Sequence, residues 1–171
     1  MAAVGFLVRL SSKLRKMGNY YSSAALIVGL SQQPIFRLKR VWTDLPRKIK
    51  DKFTALQQLS SAHRNYAAYR SALAKGLGKP QMPNLCVHLK DLYQLEEFTW
   101  MTAPGRIQFA KYEKQWEQLS LILQCQQHRF ELPLHDQCYA SLHLSLDHNL
   151  SEDKMWARSL RFEPRLVAAS P

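Results

Sequence analysis

Apolar residues in this 171-residue chain recur at intervals of three or four positions almost from end to end. That period fits the α-helix and does not fit the strand. Phe6, Leu7, Leu10, Leu14 and Met17 fall at helical spacing until Gly18-Asn19 breaks the run. Ser22 or Ser23 is placed to cap a second helix from Ala24 to Leu30. Gln33-Pro34 restarts the chain with proline in a first turn, and Ile35, Leu38, Trp42 and Leu45 form one stripe that Pro46 ends. Ile49, Phe53, Leu56 and Leu59 mark the next helix, and Tyr66, Tyr69 and Leu73 another. The stretch Gly76 to Pro83 holds two Gly and two Pro and reads as a loop. A helix from about Asn84 to Glu97 and a loop from Thr99 to Gly105 follow. Phe109, Tyr112, Trp116, Leu119 and Leu123 alternate in steps of three and four, which predicts a long helix with a buried face. A helix around His135–Leu146 comes after Pro133, and Ser151-Glu152-Asp153 opens a last one with acids where the helix dipole favours them. Only Ile107-Gln108-Phe109 hints at extended structure. The expectation is an all-α globular domain of about eight helices over residues 1–171.

No apolar run approaches the roughly 20 residues of a membrane span. Three cysteines, Cys86, Cys125 and Cys138, are odd in number and widely spaced, which favours a reducing compartment over a disulfide scaffold. The net charge of +11 is uneven. Residues 1–80 carry 15 Lys+Arg against Asp44 and Asp51, whereas residues 81–171 carry nine against 11 acids. A basic half invites an anionic membrane or a nucleic acid, but scattered Lys and Arg also solvate helix faces. No reading helix for nucleic acid is recognisable, and none is expected as a partner. Met1–Lys16 has the composition of a mitochondrial presequence, yet its periodicity runs on into the next segment like a helix of the domain. The expected location is cytoplasmic, with recruitment to membranes through basic residues.

Enzyme motifs are missing. Gly76-Leu-Gly-Lys79 lacks the preceding strand and following Ser/Thr of a phosphate loop. On a helix His135 and Cys138 share a side, but His143 lies about 140° round from Cys138, a poor zinc set. No cofactor and no metal are expected.

Two helix faces exceed what a core needs. After Pro83, Leu85, Leu89, Leu92 and Leu95 make an apolar side, while Cys86, Lys90, Tyr93 and Glu97 recur on a second, mixed one. An aromatic between a cation and an anion suits a protein contact, and a solvated face with Lys90 balancing Glu97 suits it too. In the Pro34 helix, Phe36 lies off the stripe and shares an outward face with Arg40 and Thr43.

The motif order carries a resemblance. Asn19-Tyr-Tyr-Ser-Ser, with Ile27-Val-Gly-Leu and Pro34-Ile-Phe-Arg-Leu-Lys-Arg-Val-Trp42 after it, resembles the core of Ras-type guanine-nucleotide exchange factors. Asn65-Tyr-Ala-Ala-Tyr-Arg-Ser-Ala-Leu73, Pro83 with His88-Leu-Lys-Asp-Leu92 and Glu96-Glu97, Gly105-Arg-Ile-Gln-Phe-Ala-Lys111, and Ser159-Leu-Arg-Phe-Glu-Pro-Arg165 follow in the family order. The His88–Leu92 and closing segments are similar to the Ras guanyl-releasing branch. The resemblance implies an all-α bowl with a protruding helical hairpin, here residues 84–111, that prises GDP from a Ras, Rap or Ral GTPase. By position it assigns Glu97 to phosphate repulsion, Tyr93 to the wedge, Lys90 and Asp91 to the same helix, Phe36 to docking on the other switch region, and Ser31 to a polar contact. The exchange needs no covalent chemistry and no cofactor.

The sequence departs from the family pattern at Asn84, Cys86, Phe98 and Thr99. Its residues 1–18 diverge, 166–171 form a tail, and a first group of family helices is expected to be missing, as in a truncated isoform. A diverged, non-catalytic GTPase-binding module is the alternative.

Overall fold

The computed structural model describes residues 2–97, 101–103, 105–146 and 150–164. Phe98, Thr99, His148, Arg165 and the tail 166–171 lie outside the described residues. Ten helices appear among those described: α1 (Ala2–Lys16), α2 (Tyr20–Ser31), α3 (Gln33–Phe36), α4 (Lys39–Thr43), α5 (Arg47–Leu59), α6 (Ala67–Lys75), α7 (Leu85–Glu96), α8 (Phe109–Gln126), α9 (Asp136–Leu146) and α10 (Glu152–Phe162). A short antiparallel ribbon, β1 (Met101–Ala103) and β2 (Arg106–Ile107), links α7 to α8 and pairs Met101 with Ile107. The all-α expectation holds. The extended hint at Ile107 is realised in β2, while Phe109 already begins α8.

Apolar side chains collect in two cores. Val8, Ile27, Leu30, Leu45, Ile49, Phe53 and Leu56 fill the first, among α1, α2 and α5. Tyr20, Tyr69, Leu73, Val87 and Cys125 fill the second, among α6, α7 and α8. Helix α2 contributes to both, with Tyr20 at one end and Ile27 and Leu30 toward the other. Ser11 on α1 and Ser23 on α2 are buried small residues that let the two helices approach. The Ser11 hydroxyl donates to the Ser23 carbonyl at 3.1 Å, and Ser23 returns the bond to the Ser11 carbonyl at 3.1 Å.

That exchange corrects the capping expectation. Ser23 is taken up by α1, and α2 starts earlier, at Tyr20, because Asn19 Oδ1 accepts the Ser22 N–H at 2.9 Å. Asn19→Ala is expected to lower stability by about 1 kcal/mol in urea unfolding, at an unchanged denaturant slope. Gly18 precedes the cap at φ +85°, where an added Cβ would lie 2.7 Å from the Pro80 carbonyl oxygen. The loop 76–83 is tied down here: Met82 N–H donates to Gly18 O, and Tyr20 N–H to Met82 O, both at 2.9 Å.

The predicted helix from Pro34 to Leu45 is broken in two at Arg37-Leu38. Helix α10 supplies the reason. The Arg37 guanidinium donates to the carbonyls of Ser159 (3.1 Å) and Glu163 (2.8 Å), and the Glu163 carboxylate accepts the N–H groups of Lys39 (3.2 Å) and Arg40 (3.3 Å). A carboxylate on free N–H groups caps α4 and favours a new start over a continuous helix. The two sequence segments, 34–42 and 159–164, are therefore one structural unit.

The expected buried stripe of α8 is corrected as well. Phe109 is 71% exposed and Trp116 63%, and Tyr112, Leu119 and Leu123 are exposed too. The helix instead buries Lys111 and Cys125, with Leu121 packed on the second core. On α7 the predicted apolar side is only partly covered: Leu85 and Leu89 are exposed and Leu92 and Leu95 half-buried, while Val87 and His88 are buried.

Candidate functional site

Helix α7 is held from three directions. Val87 packs into the second core. His88, 0% exposed, sits in a polar chain that crosses three helices. Asn84 N–H donates to Tyr69 Oη at 2.8 Å, Tyr69 Oη is 2.8 Å from His88 Nε2, and His88 Nδ1 is 3.3 Å from Gln118 Oε1. The assignment that satisfies every member is Tyr69 donating to Nε2 and Nδ1–H donating to Gln118, which makes His88 neutral. Burial pushes the His88 pKa down and the Tyr69 pKa up, so both groups stay uncharged near neutrality. Asp91, one turn on, pairs with Arg70 of α6 at 2.5 Å.

The far end of α7 is clamped by α8. Lys111 Nζ, on a side chain 1% exposed, donates to the Glu96 carbonyl at 3.2 Å and lies 3.7 Å from the Glu96 carboxylate. Gln115 Nε2 donates to Glu96 Oε1 at 2.6 Å. A cation on the last carbonyls also complements the helix dipole.

These contacts divide the adjacent acids. Glu96 belongs to the clamp. Glu97, the C-cap residue, is exposed and has no ion pair among the described residues. Tyr93 is 69% exposed, and Cys86 and Lys90 share its outward orientation. Lys90 leans over the Tyr66 ring, 5.6 Å from its centroid, and donates to Asn65 Oδ1 at 3.4 Å. The mixed face predicted for this helix is thus outward. Asp91 is not part of it: with a side chain 11% exposed and engaged by Arg70, it fastens α7 to α6.

Phe36 and Ser31 lie beside the first core. The Phe36 ring is 48% exposed and tilts on Trp42 at 5.7 Å, and Trp42 stacks on Phe53 at 4.6 Å. Gln57 Nε2 donates to Ser31 Oγ at 3.4 Å, and Gln57 lines the same groove as Phe36. Structure therefore sorts the six sequence candidates into a groove pair, Ser31 and Phe36, and an α7 set, Lys90, Tyr93 and Glu97, with Asp91 beneath. Sequence reasoning missed Lys111, His88 and Arg37 as positioning residues. Each stands inside a quoted motif, but its role is set by a partner 15 to 126 residues away in sequence.

No group of three or more His, Cys, Asp or Glu among the described residues is arranged to hold a metal ion. Nor is any described helix long and apolar enough to cross a membrane.

A family model described as the RasGEF domain matches residues 1–113. The chain is 31% identical over 165 residues to Rap guanine nucleotide exchange factor 3 of Homo sapiens, covering 96% of this chain and 17% of that protein. It is 31% identical over 153 residues to Ras guanine nucleotide exchange factor I of Dictyostelium discoideum, covering 89% and 18% respectively. Ras guanyl-releasing protein 3 of Homo sapiens is 30% identical over 165 residues, covering 96% and 24%. The chain thus spans a quarter or less of the length of these relatives.

Proposed function

The chain belongs to the RasGEF domain family, and on that premise we propose that it binds a Ras-family small GTPase and promotes GDP release through the α7–α8 hairpin. The observation that carries the reading is the division of the Glu pair. One acid and a buried lysine fix the end of α7, and that leaves Glu97 and Tyr93 projecting from a rigid helix. Three similar proteins whose names place them among Ras or Rap exchange factors and Ras guanyl-releasing proteins support the same partner class.

The mechanism is differential binding. A helix that favours the nucleotide-free GTPase lowers nucleotide affinity by the same factor by which nucleotide lowers its own. Tyr93 supplies bulk that displaces a switch segment, and Glu97 supplies negative charge where phosphate would otherwise sit. Lys90 contributes on the same face. Phe36 and Ser31 hold the GTPase from the groove side, and Asp91 acts through Arg70 to position α7. Nothing in the mechanism breaks or makes a covalent bond.

Release of a fluorescent GDP analogue from Ras, Rap and Ral GTPases tests the reading. Acceleration by the parent chain is expected for at least one of them, and Phe36→Ala is expected to reduce it about tenfold, as for an aromatic anchor in an interface. A folded chain that accelerates none would leave a binding module without exchange activity. For location, we propose the cytoplasm, with the basic first half drawing the protein toward anionic membrane surfaces.

A further inference from the structure

The apolar stripe of α8 has a spacing that specifies its occupant. Phe109, Tyr112, Trp116, Leu119 and Leu123 follow one another in steps of three, four, three and four, the rhythm of a helix that packs along a second helix. All five are exposed, from 39% at Tyr112 to 71% at Phe109. The side of α8 that serves the domain is a different one. Lys111 and Gln115 engage Glu96, Gln118 meets His88, and Cys125 lies in the second core. Lys111, Gln115 and Gln118 each precede a stripe residue by one position, so the stripe lies about 100° round from that line, and it is about 21 Å long. Taking about 200 Å² for a whole large side chain, the five expose about 500 Å² per copy, and two copies laid together bury about 1,000 Å², the lower bound of a specific interface. The domain already holds α8 as a helix, so association does not have to meet the cost of forming it.

From this we infer that α8 docks a second copy of this chain, the two helices antiparallel about a two-fold axis between Trp116 and Leu119. The order of residues along the stripe argues for self-pairing: its first half is aromatic and its second half is leucine. An antiparallel pair sets Trp116 against the partner's Leu119 and Tyr112 against the partner's Leu123, each twice, so that a large side chain faces a smaller one in every central layer. Phe109 then lies over the stem of the partner's Gln126. On the flanks Glu113 meets the partner's Ser120 and Gln115 the partner's Ile122, and no like charges oppose each other. A parallel pair in register would crowd Trp116 on the partner's Trp116 at one end and leave leucine on leucine at the other. A two-fold contact of this kind closes on itself and stops at two copies. The inference is independent of the exchange reading, since no stripe residue is among those proposed to meet the GTPase.

Sedimentation velocity of the whole chain from about 1 to about 200 µM tests it. A two-copy species is expected, with a Kd of about 10 µM as befits an interface of this size. Trp116→Glu and Leu119→Glu are each expected to weaken it at least about tenfold. Both residues are exposed, so helical circular dichroism should stay at the parent's level. Val28→Glu places the same charge on an apolar residue of α2 that is 60% exposed, and it is expected to leave the Kd within about twofold. A chain that stays monomeric to about 200 µM, growth beyond two copies, or an equal loss in Val28→Glu and Trp116→Glu overturns the inference. Oxidative cross-linking fixes the orientation, with the exposed Cys86 and Cys138 replaced by serine. A chain carrying Tyr112→Cys and one carrying Leu123→Cys are expected to join each other on mixing and neither to join itself. Self-joining of each, with no joining on mixing, would mean a parallel pair and overturn the arrangement inferred.

Discussion

Glu97→Ala is expected to slow the GDP release promoted by this domain by about a hundredfold, the size of effect when one charge of a desolvated interfacial contact is removed. Glu97 is free of the clamp, so the loss should arise with unfolding stability unchanged. Glu97→Gln should recover little, because the proposed role is electrostatic. Glu96→Ala makes the opposite pattern. It strips the carboxylate that Lys111 and Gln115 engage but leaves the carbonyl bond to Lys111 in place. Its cost should therefore appear first in stability, about 1 kcal/mol, with release reduced only as far as α7 is misplaced. Nucleotide-release rates and urea midpoints on the two variants and the parent make the comparison. If Glu96→Ala costs more exchange than Glu97→Ala at equal stability, the roles of the two acids are the reverse of those proposed.

The positions of the helices were legible from the period of apolar residues, since α1 and α6 end, α7 and α8 begin, and α5 and α10 both begin and end near the breaks that Gly, Pro and Ser mark. The direction each helix faces was less so. A 3-4 stripe shows that a face is apolar and says nothing about what lies opposite it. On α8 the stripe from Phe109 to Leu123 is largely exposed, while a lysine and a cysteine are buried. The break at Arg37-Leu38 was hidden for a related reason. Nothing within residues 33–45 opposes a continuous helix, and the competing capping group, Glu163, arrives from the other end of the chain. Outward faces were read more reliably, because polar and aromatic residues at helical spacing on a non-core side leave few other placements. Tyr93, Lys90 and Phe36 are exposed as that pattern predicts. Asp91 shows the limit: its pairing with Arg70 depends on how α6 crosses α7, which spacing along α7 does not contain.

The junction that orients α7 is also expected to weaken in acid. His88 accepts from Tyr69 at Nε2 only when that nitrogen is unprotonated, and protonation turns an acceptor into a donor facing a hydroxyl already placed to donate. Burial is the main cause that holds the folded pKa below the ordinary 6.5, with Arg70 adding to it, while the Gln118 bond and Asp91 act the other way. A histidine depressed in the folded state is protonated more readily in the unfolded one. Its contribution is therefore complete above about pH 6.5 and is lost as pH falls from there through the folded value. The slope it adds is at most about 1.4 kcal/mol per pH unit. Urea unfolding of the parent at several pH values from about 7.5 to about 5 should show this fall, and His88→Gln should flatten it while lowering stability near neutrality. An unchanged slope in His88→Gln would place the acid sensitivity elsewhere. Because Tyr93 and Glu97 ride on the same helix, exchange should decline over the same pH interval in the parent. In His88→Gln, a basal rate already reduced by the weakened junction should vary less with pH.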